Sequence, residues 1–116
     1  PDIVHLHNIH DHTVSLNMLF WYLKKIDCKL IWTFHDSWAY TSYCACYKML
    51  DCRKWKTYCE SCPIYHKYSY FFDKSKKIYD KKKKIYKELD FTIVSPSNWL
   101  KGEIKKSFFA ELKRFL

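Results

Sequence analysis

At 116 residues the chain has room for one compact unit, at the small end for a layered α/β domain. Its 48% hydrophobic and 20% aromatic residues exclude a disordered tail, and no run of about 18 apolar residues occurs to make a membrane-spanning helix. The formal net charge of +9 leaves nucleic acid, anionic lipid headgroups and phosphorylated substrates as partners to weigh.

Residues 2–7, DIVHLH, predict a short strand with apolar residues on both faces, as in a strand covered by helices on each side. Leu16, Leu19, Phe20, Leu23 and Ile26 then form one apolar stripe at helical spacing. Residues 30–34 predict a second strand, so the first third of the chain has the spacing of a βαβ unit. A long irregular segment follows, at about 36–70, of the kind that is functional or internally stapled. Beyond it, eight lysines fall between Lys74 and Lys87, and Ile78, Ile85 and Leu89 recur at helical spacing, with Phe71, Phe72, Tyr79 and Tyr86 nearby. That pattern predicts a helix whose lysines point outward into solvent, with peripheral contact to an anionic membrane as the functional alternative. Residues 91–94, FTIV, predict a third strand, and Ser97 is placed to cap a last helix with Trp99, Leu100, Ile104, Phe108 and Leu112 on its buried side. The chain reads as part of a larger protein, opening on Pro1 almost directly into a strand and stopping inside a helical pattern. Gly102 is the sole glycine, so a glycine-rich phosphate loop is excluded.

The segment 30–63 holds most of the chemistry. An apolar strand runs into His35 and Asp36, and the carboxyl end of a parallel strand is where open α/β sheets place ligands. An imidazole there can hold a hydroxyl or act as acid or base near neutral pH, against the plain reading of a hydrogen-bonded strand-end histidine. His5 and His7, two apart on a strand, face the same side, while His10 and His12 occupy the following turn as polar loop positions. Cys44, Cys52, Cys59 and Cys62 follow a C-x7-C-x6-C-x2-C spacing, with Cys46 competing for the place of Cys44. Four thiolates within twenty residues suit a structural zinc ion; reduced cysteines packed as small hydrophobes and two disulfides are the rival readings. Cys28 reads as ordinary core. The lysine run, the aromatics and a zinc site together also fit a second function class, a basic zinc-stabilised nucleic-acid-binding module, although aromatics at apolar helix and strand positions are explained by core packing.

The segments PDIVHLHNIH, IWTFHDSWAYTSYC, CRKWKTYCESCP and FTIVSPSNWL, in this order, resemble the amino-terminal domain of glycosyltransferase family 4, in particular bacterial enzymes that build surface polysaccharides. The resemblance implies a Rossmann-like parallel sheet with flanking helices, the partial amino-terminal, acceptor-side domain of a GT-B fold over residues 1–116, with a Cys-rich insertion at about 36–70. It implies a cytoplasmic or membrane-peripheral retaining hexosyltransferase that moves sugar from a nucleotide-sugar donor to a glycan or lipid-linked acceptor, without a catalytic cofactor and without nucleic acid as partner. Residue by residue, the strand-end catalytic histidine falls on His35, and substrate-binding positions fall on His7, Asp36, Ser97 and Trp99. His5 completes the family's HxH with His7. Asp11, Ser42, Tyr58 and Glu60 stand where relatives commonly have glycine. Since the donor's acidic partners belong mainly to a second domain in that family, the 116 residues alone are expected to be inactive.

Overall fold

The computed structural model describes residues 1–10, 14–44, 51–67, 71–112 and 114–115. Four parallel strands lie side by side in chain order: β1 (Ile3–Leu6), β2 (Lys29–Thr33), β3 (Thr92–Val94) and β4 (Arg114–Phe115). Each connection is a crossover. Helix α1 (Leu16–Lys25) joins β1 to β2, α2 (Ser75–Lys87) precedes β3, and α3 (Asn98–Ile104) and α4 (Phe109–Leu112) join β3 to β4. The fold is α/β with a small parallel sheet and flanking helices. The three expected strands are present within a residue or so of their expected ends, and β4 adds a two-residue strand that was too short to show a period.

The pleat assigns the two faces. Leu30, Trp32 and Phe34 point to the core side with Leu6 and Ile93 and are buried. There Trp32 meets Phe20 of α1 at 5.9 Å and Tyr86 of α2 at 5.5 Å between ring centroids, and Phe34 meets Phe109 of α4 at 5.2 Å. Such offset or edge-on pairs contribute about 0.5–1.5 kcal/mol each beyond the area they bury. The opposite face carries Ile3, His5, Thr92 and Val94, which are exposed or half-buried. The expected cover of β1 on both sides is therefore corrected for this chain: its odd-numbered face is open and holds the histidines.

Two helices depart from their expected faces. In α2 the buried stripe is Ser75, Tyr79, Lys82 and Tyr86, at i, i+4, i+7 and i+11, while Ile78 and Ile85 are only half-buried and Phe71 and Phe72 are exposed. The stripe includes a lysine, so the expectation that every lysine faces solvent fails at Lys82, for reasons given below. The last predicted helix is two. Ser107 Oγ donates to the Ile104 carbonyl at 2.6 Å and accepts from the Phe109 N–H at 3.2 Å, closing α3 and opening α4. Leu100 and Ile104 take the buried face of α3, which turns Trp99, one position earlier, outward to 54% exposure.

Candidate functional site

The site begins where β2 ends. The Phe34 N–H donates to the Val94 carbonyl at 3.0 Å, so regular pairing holds the backbone up to the residue before His35. His35 is exposed. Its Nε2 is 2.9 Å from Nδ1 of His7, with the rings stacked at 5.2 Å and 22°. His7 in turn lies 4.2 Å from the ring of His5, whose Nε2 is 2.8 Å from Thr33 Oγ1. Neighbouring parallel strands thus hold three imidazoles in a row, and this follows from register: His5, His7, Thr33 and His35 are all odd-numbered and share one face. His7 is held below its ordinary imidazole value by partial desolvation first, then by the charges that His5 and His35 would carry.

Asp36 turns the chain away from the strand. Its Oδ1 accepts from the Trp38 N–H at 2.9 Å, and its Oδ2 sits 3.0 Å from Nε2 of His10. The ring of His10 meets that of Trp38 at 5.9 Å. His7, His10, His35, Asp36 and Trp38 line an open cleft of about 210 Å³. The edge therefore offers paired imidazoles, a carboxylate and an indole in one small concavity: hydrogen-bond donors and acceptors beside an aromatic surface, the equipment for holding a hydroxylated ligand. His10 is a residue that reading the sequence left among loop positions. The available signal was its place just past a parallel strand, beside the end of β2.

Ser97 and Trp99 lie outside this cleft. Ser97 caps α3, its Oγ accepting the Leu100 N–H at 3.1 Å, just past the β3 residue that pairs with Thr33. Trp99 is exposed on the first turn. Of the positions where relatives carry glycine, Asp11 lies outside the described residues. Among the described residues, left-handed backbone falls at Asp51 (φ 48°) and Ser61 (φ 49°), and not at Ser42, Tyr58 or Glu60, so those three side chains impose no strain of that kind.

Below the cleft, the loop folds inward. Apart from half-buried Trp38, residues 37–44 are all buried, and three of their hydroxyls are bonded to backbone carbonyls: Ser37 Oγ and Thr41 Oγ1 donate to the Cys44 carbonyl at 3.1 and 2.7 Å, and Ser42 Oγ to the Ser75 carbonyl at 2.5 Å. Lys82 completes the set. Its Nζ donates to the carbonyls of Trp38, Thr41 and Ser42 at 2.7, 2.9 and 3.3 Å and lies 3.5 Å from the centre of the Trp38 ring. Burial draws its pKa down to about 7, against the pull of Cys59, Asp36 and Cys44 toward the charged form. The lysine run hid this residue because its composition matches that of a solvated face; the Ser75–Tyr79–Tyr86 stripe was the signal that singles it out.

Cys44, Cys52, Cys59 and Cys62 border a second cavity, of about 320 Å³, together with Trp55 and Ser75. All four are free thiols. Burial pushes Cys44 up to about 12 and raises Cys59 and Cys62. Among the described residues, no group of three or more His, Cys, Asp or Glu side chains is already placed to hold a metal ion. Cys46 and His12 lie outside the described residues, and Cys28, expected in the core, is half-buried on the turn before β2.

Among curated proteins, the chain is similar to the Escherichia coli K12 protein named "Putative colanic acid biosynthesis glycosyl transferase WcaC", at 34% identity over 74 residues. The match covers 59% of this chain and 18% of that protein, so the chain corresponds to a minor part of its relative's length. No family model matches the chain, and no solved structure matches it.

Proposed function

We propose that this chain is the acceptor-side part of a glycosyltransferase of polysaccharide synthesis, a retaining hexosyltransferase of GT-B architecture that works at the cytoplasmic face. The observation that carries the reading is the exposed His35 at the carboxyl end of a central parallel strand, braced by His7 inside the cleft. The 34% identity to a protein named as a glycosyl transferase supports the same class.

In this reading the donor is a nucleotide-sugar and the acceptor a glycan or lipid-linked glycan. Transfer with retention passes through a sugar carrying oxocarbenium character, which must be positioned while its phosphate leaves. With Nε2 of His35 facing His7, the exposed ring presents its Nδ1 to a sugar hydroxyl. Asp36 and His10 hold each other and fix the lip of the cleft. Neutralising the leaving phosphate falls to polypeptide outside these 116 residues, so the chain alone is inactive. An anionic membrane is the partner proposed for the lysine face of α2, where Phe71 and Phe72 stand exposed beside the charges.

The buried aromatic core bears on the nucleic-acid alternative. Phe20, Trp32, Phe34, Tyr86, Phe91 and Phe109 pack on one another, and packing accounts for them without stacked bases.

One experiment compares sugar transfer by the full-length enzyme, its His35→Ala variant and the 116-residue chain alone. The expected result is a loss on the order of 100-fold in kcat for the variant with its folding intact, and no transfer by the chain alone. An unchanged kcat in a folded variant removes His35 from the mechanism, and transfer by the isolated chain at full rate overturns the two-part reading.

A further inference from the structure

We propose that Cys44, Cys52, Cys59 and Cys62 bind one zinc ion as four thiolates, and that this ion fastens the loop between β2 and α2 beneath the histidine cleft. The proposal stands apart from the glycosyltransferase reading and fails or survives independently of it.

The loop needs such a fastening. Within residues 51–67 only Trp55 is buried, and the regular structure there is two single turns, Lys54–Lys56 and Tyr65–Lys67. With Cys52, Tyr58, Cys59 and Ile64 only partly buried against the core, such a segment recovers little of the entropy of ordering its backbone. The cysteines nonetheless come together: four positions spread over nineteen residues of sequence border one cavity. Convergence of all four is more than small hydrophobes packing at random would produce.

The backbone is shaped around the sulfurs. Among the described residues, both non-glycine positions with left-handed backbone adjoin cluster cysteines, Asp51 just before Cys52 and Ser61 inside the Cys59–Cys62 turn. Such backbone is disfavoured for a residue with a side chain and needs surroundings that hold it. Lys54 Nζ donates to the carbonyls of Glu60 and Ser61 at 3.1 and 2.9 Å, closing the turn between the last two cysteines, and the Cys62 N–H donates to Asp73 Oδ2 at 2.7 Å.

Charge favours a divalent ion with four sulfur ligands. Four thiolates around Zn²⁺ carry a net double negative charge, which Lys54, its Nζ bonded to the Glu60 and Ser61 carbonyls between two of the cysteines, helps to offset. Each Zn–S bond forms as one thiol gives its proton to solvent, and no electrons move. The thiols ring the cavity without yet meeting at a common point, so binding must draw the loop inward to sulfur–metal distances of about 2.3 Å.

Cobalt(II) is the probe. Added to the reduced full chain, it is expected to saturate at about one equivalent, with the intense visible bands of tetrahedral coordination and a sulfur-to-cobalt charge-transfer band, both abolished by excess zinc. Cys59→Ser and Cys62→Ser are expected to lose the charge-transfer band, and Cys28→Ser, outside the cluster, to keep it. Should the cluster variants fail to fold, alkylation of the unaltered chain decides: zinc is expected to protect these four thiols and a chelator to expose them. Weak octahedral bands, a loop disulfide in the isolated protein, or alkylation that zinc leaves unchanged would overturn the proposal.

Discussion

The histidine cleft and the cysteine loop share one stretch of chain, residues 35–44, and solve opposite problems. His35 and Asp36 leave β2 toward solvent, where their nitrogens and oxygens are reachable; residues 37–44 are then buried apart from half-buried Trp38, with the Ser37 and Thr41 hydroxyls bonded to the Cys44 carbonyl. Rigidity in the first region comes from strand pairing and a chain of imidazoles. In the second it comes from burial with internal hydrogen bonding, of which Lys82 supplies the largest share. A reactive edge can stay exposed because the chain immediately after it is fixed from below.

The largest effect is expected from breaking the buried side. Lys82→Met keeps most of the stem's volume but removes the donor shared by three carbonyls and the cation beneath Trp38. Leaving buried acceptors unsatisfied is expected to lower the unfolding free energy by on the order of 3 kcal/mol. Urea denaturation of the variant and the parent measures it, and a loss below about 0.5 kcal/mol would mean that Lys82 does not hold the loop.

The exposed side is sharpened by pH. The folded-state pKa of His7 lies below the value of about 6.5 it takes unfolded, so the folded chain binds fewer protons there. Its contribution to stability is complete above about pH 6.5 and is lost as the pH falls through that value toward the folded pKa. The bond between Nδ1 of His7 and Nε2 of His35 also requires one nitrogen without a proton, so it breaks when both rings are charged. An NMR titration of His7 is expected to show a midpoint below that of a free imidazole side chain. His35→Ala should raise the midpoint without restoring it fully, because desolvation is the larger cause. A midpoint that ignores the substitution would separate the two rings.

How far each region was legible in the sequence follows from the kind of signal each carries. The odd-numbered face of β1 could be read because period-two spacing fixes side-chain direction, and so His5 and His7 could be placed together; that His35 joins them is decided by the register of β1 against β2. The Asp36–His10 pair was not legible, since it joins residues in two irregular turns whose direction no period sets. Lys82 was masked by its neighbours: in a run of lysines, composition argues for solvent, and only the rotation of α2, centred on Tyr79 and Tyr86 instead of Ile78 and Ile85, brings it inside. The break at Ser107 was likewise invisible to an apolar pattern, because a hydroxyl competing for backbone groups made it.

Tyr86 offers the smallest and most discriminating test, because it belongs to the core beneath both regions. Its ring stacks on Phe109 at 5.3 Å and meets Trp32 edge-on, yet its hydroxyl is buried with no hydrogen-bond partner among the described residues. Burial accordingly raises its pKa well above the ordinary phenol value. Removing an unsatisfied hydroxyl while keeping the ring gives up no bond and relieves a desolvation penalty, so Tyr86→Phe is expected to be neutral or to stabilise the chain by up to about 1 kcal/mol. Thermal unfolding of the variant checks this. A lower midpoint would show that the hydroxyl is hydrogen-bonded in solution, and that the aromatic core, like the loop beside it, holds its polar groups by pairing them.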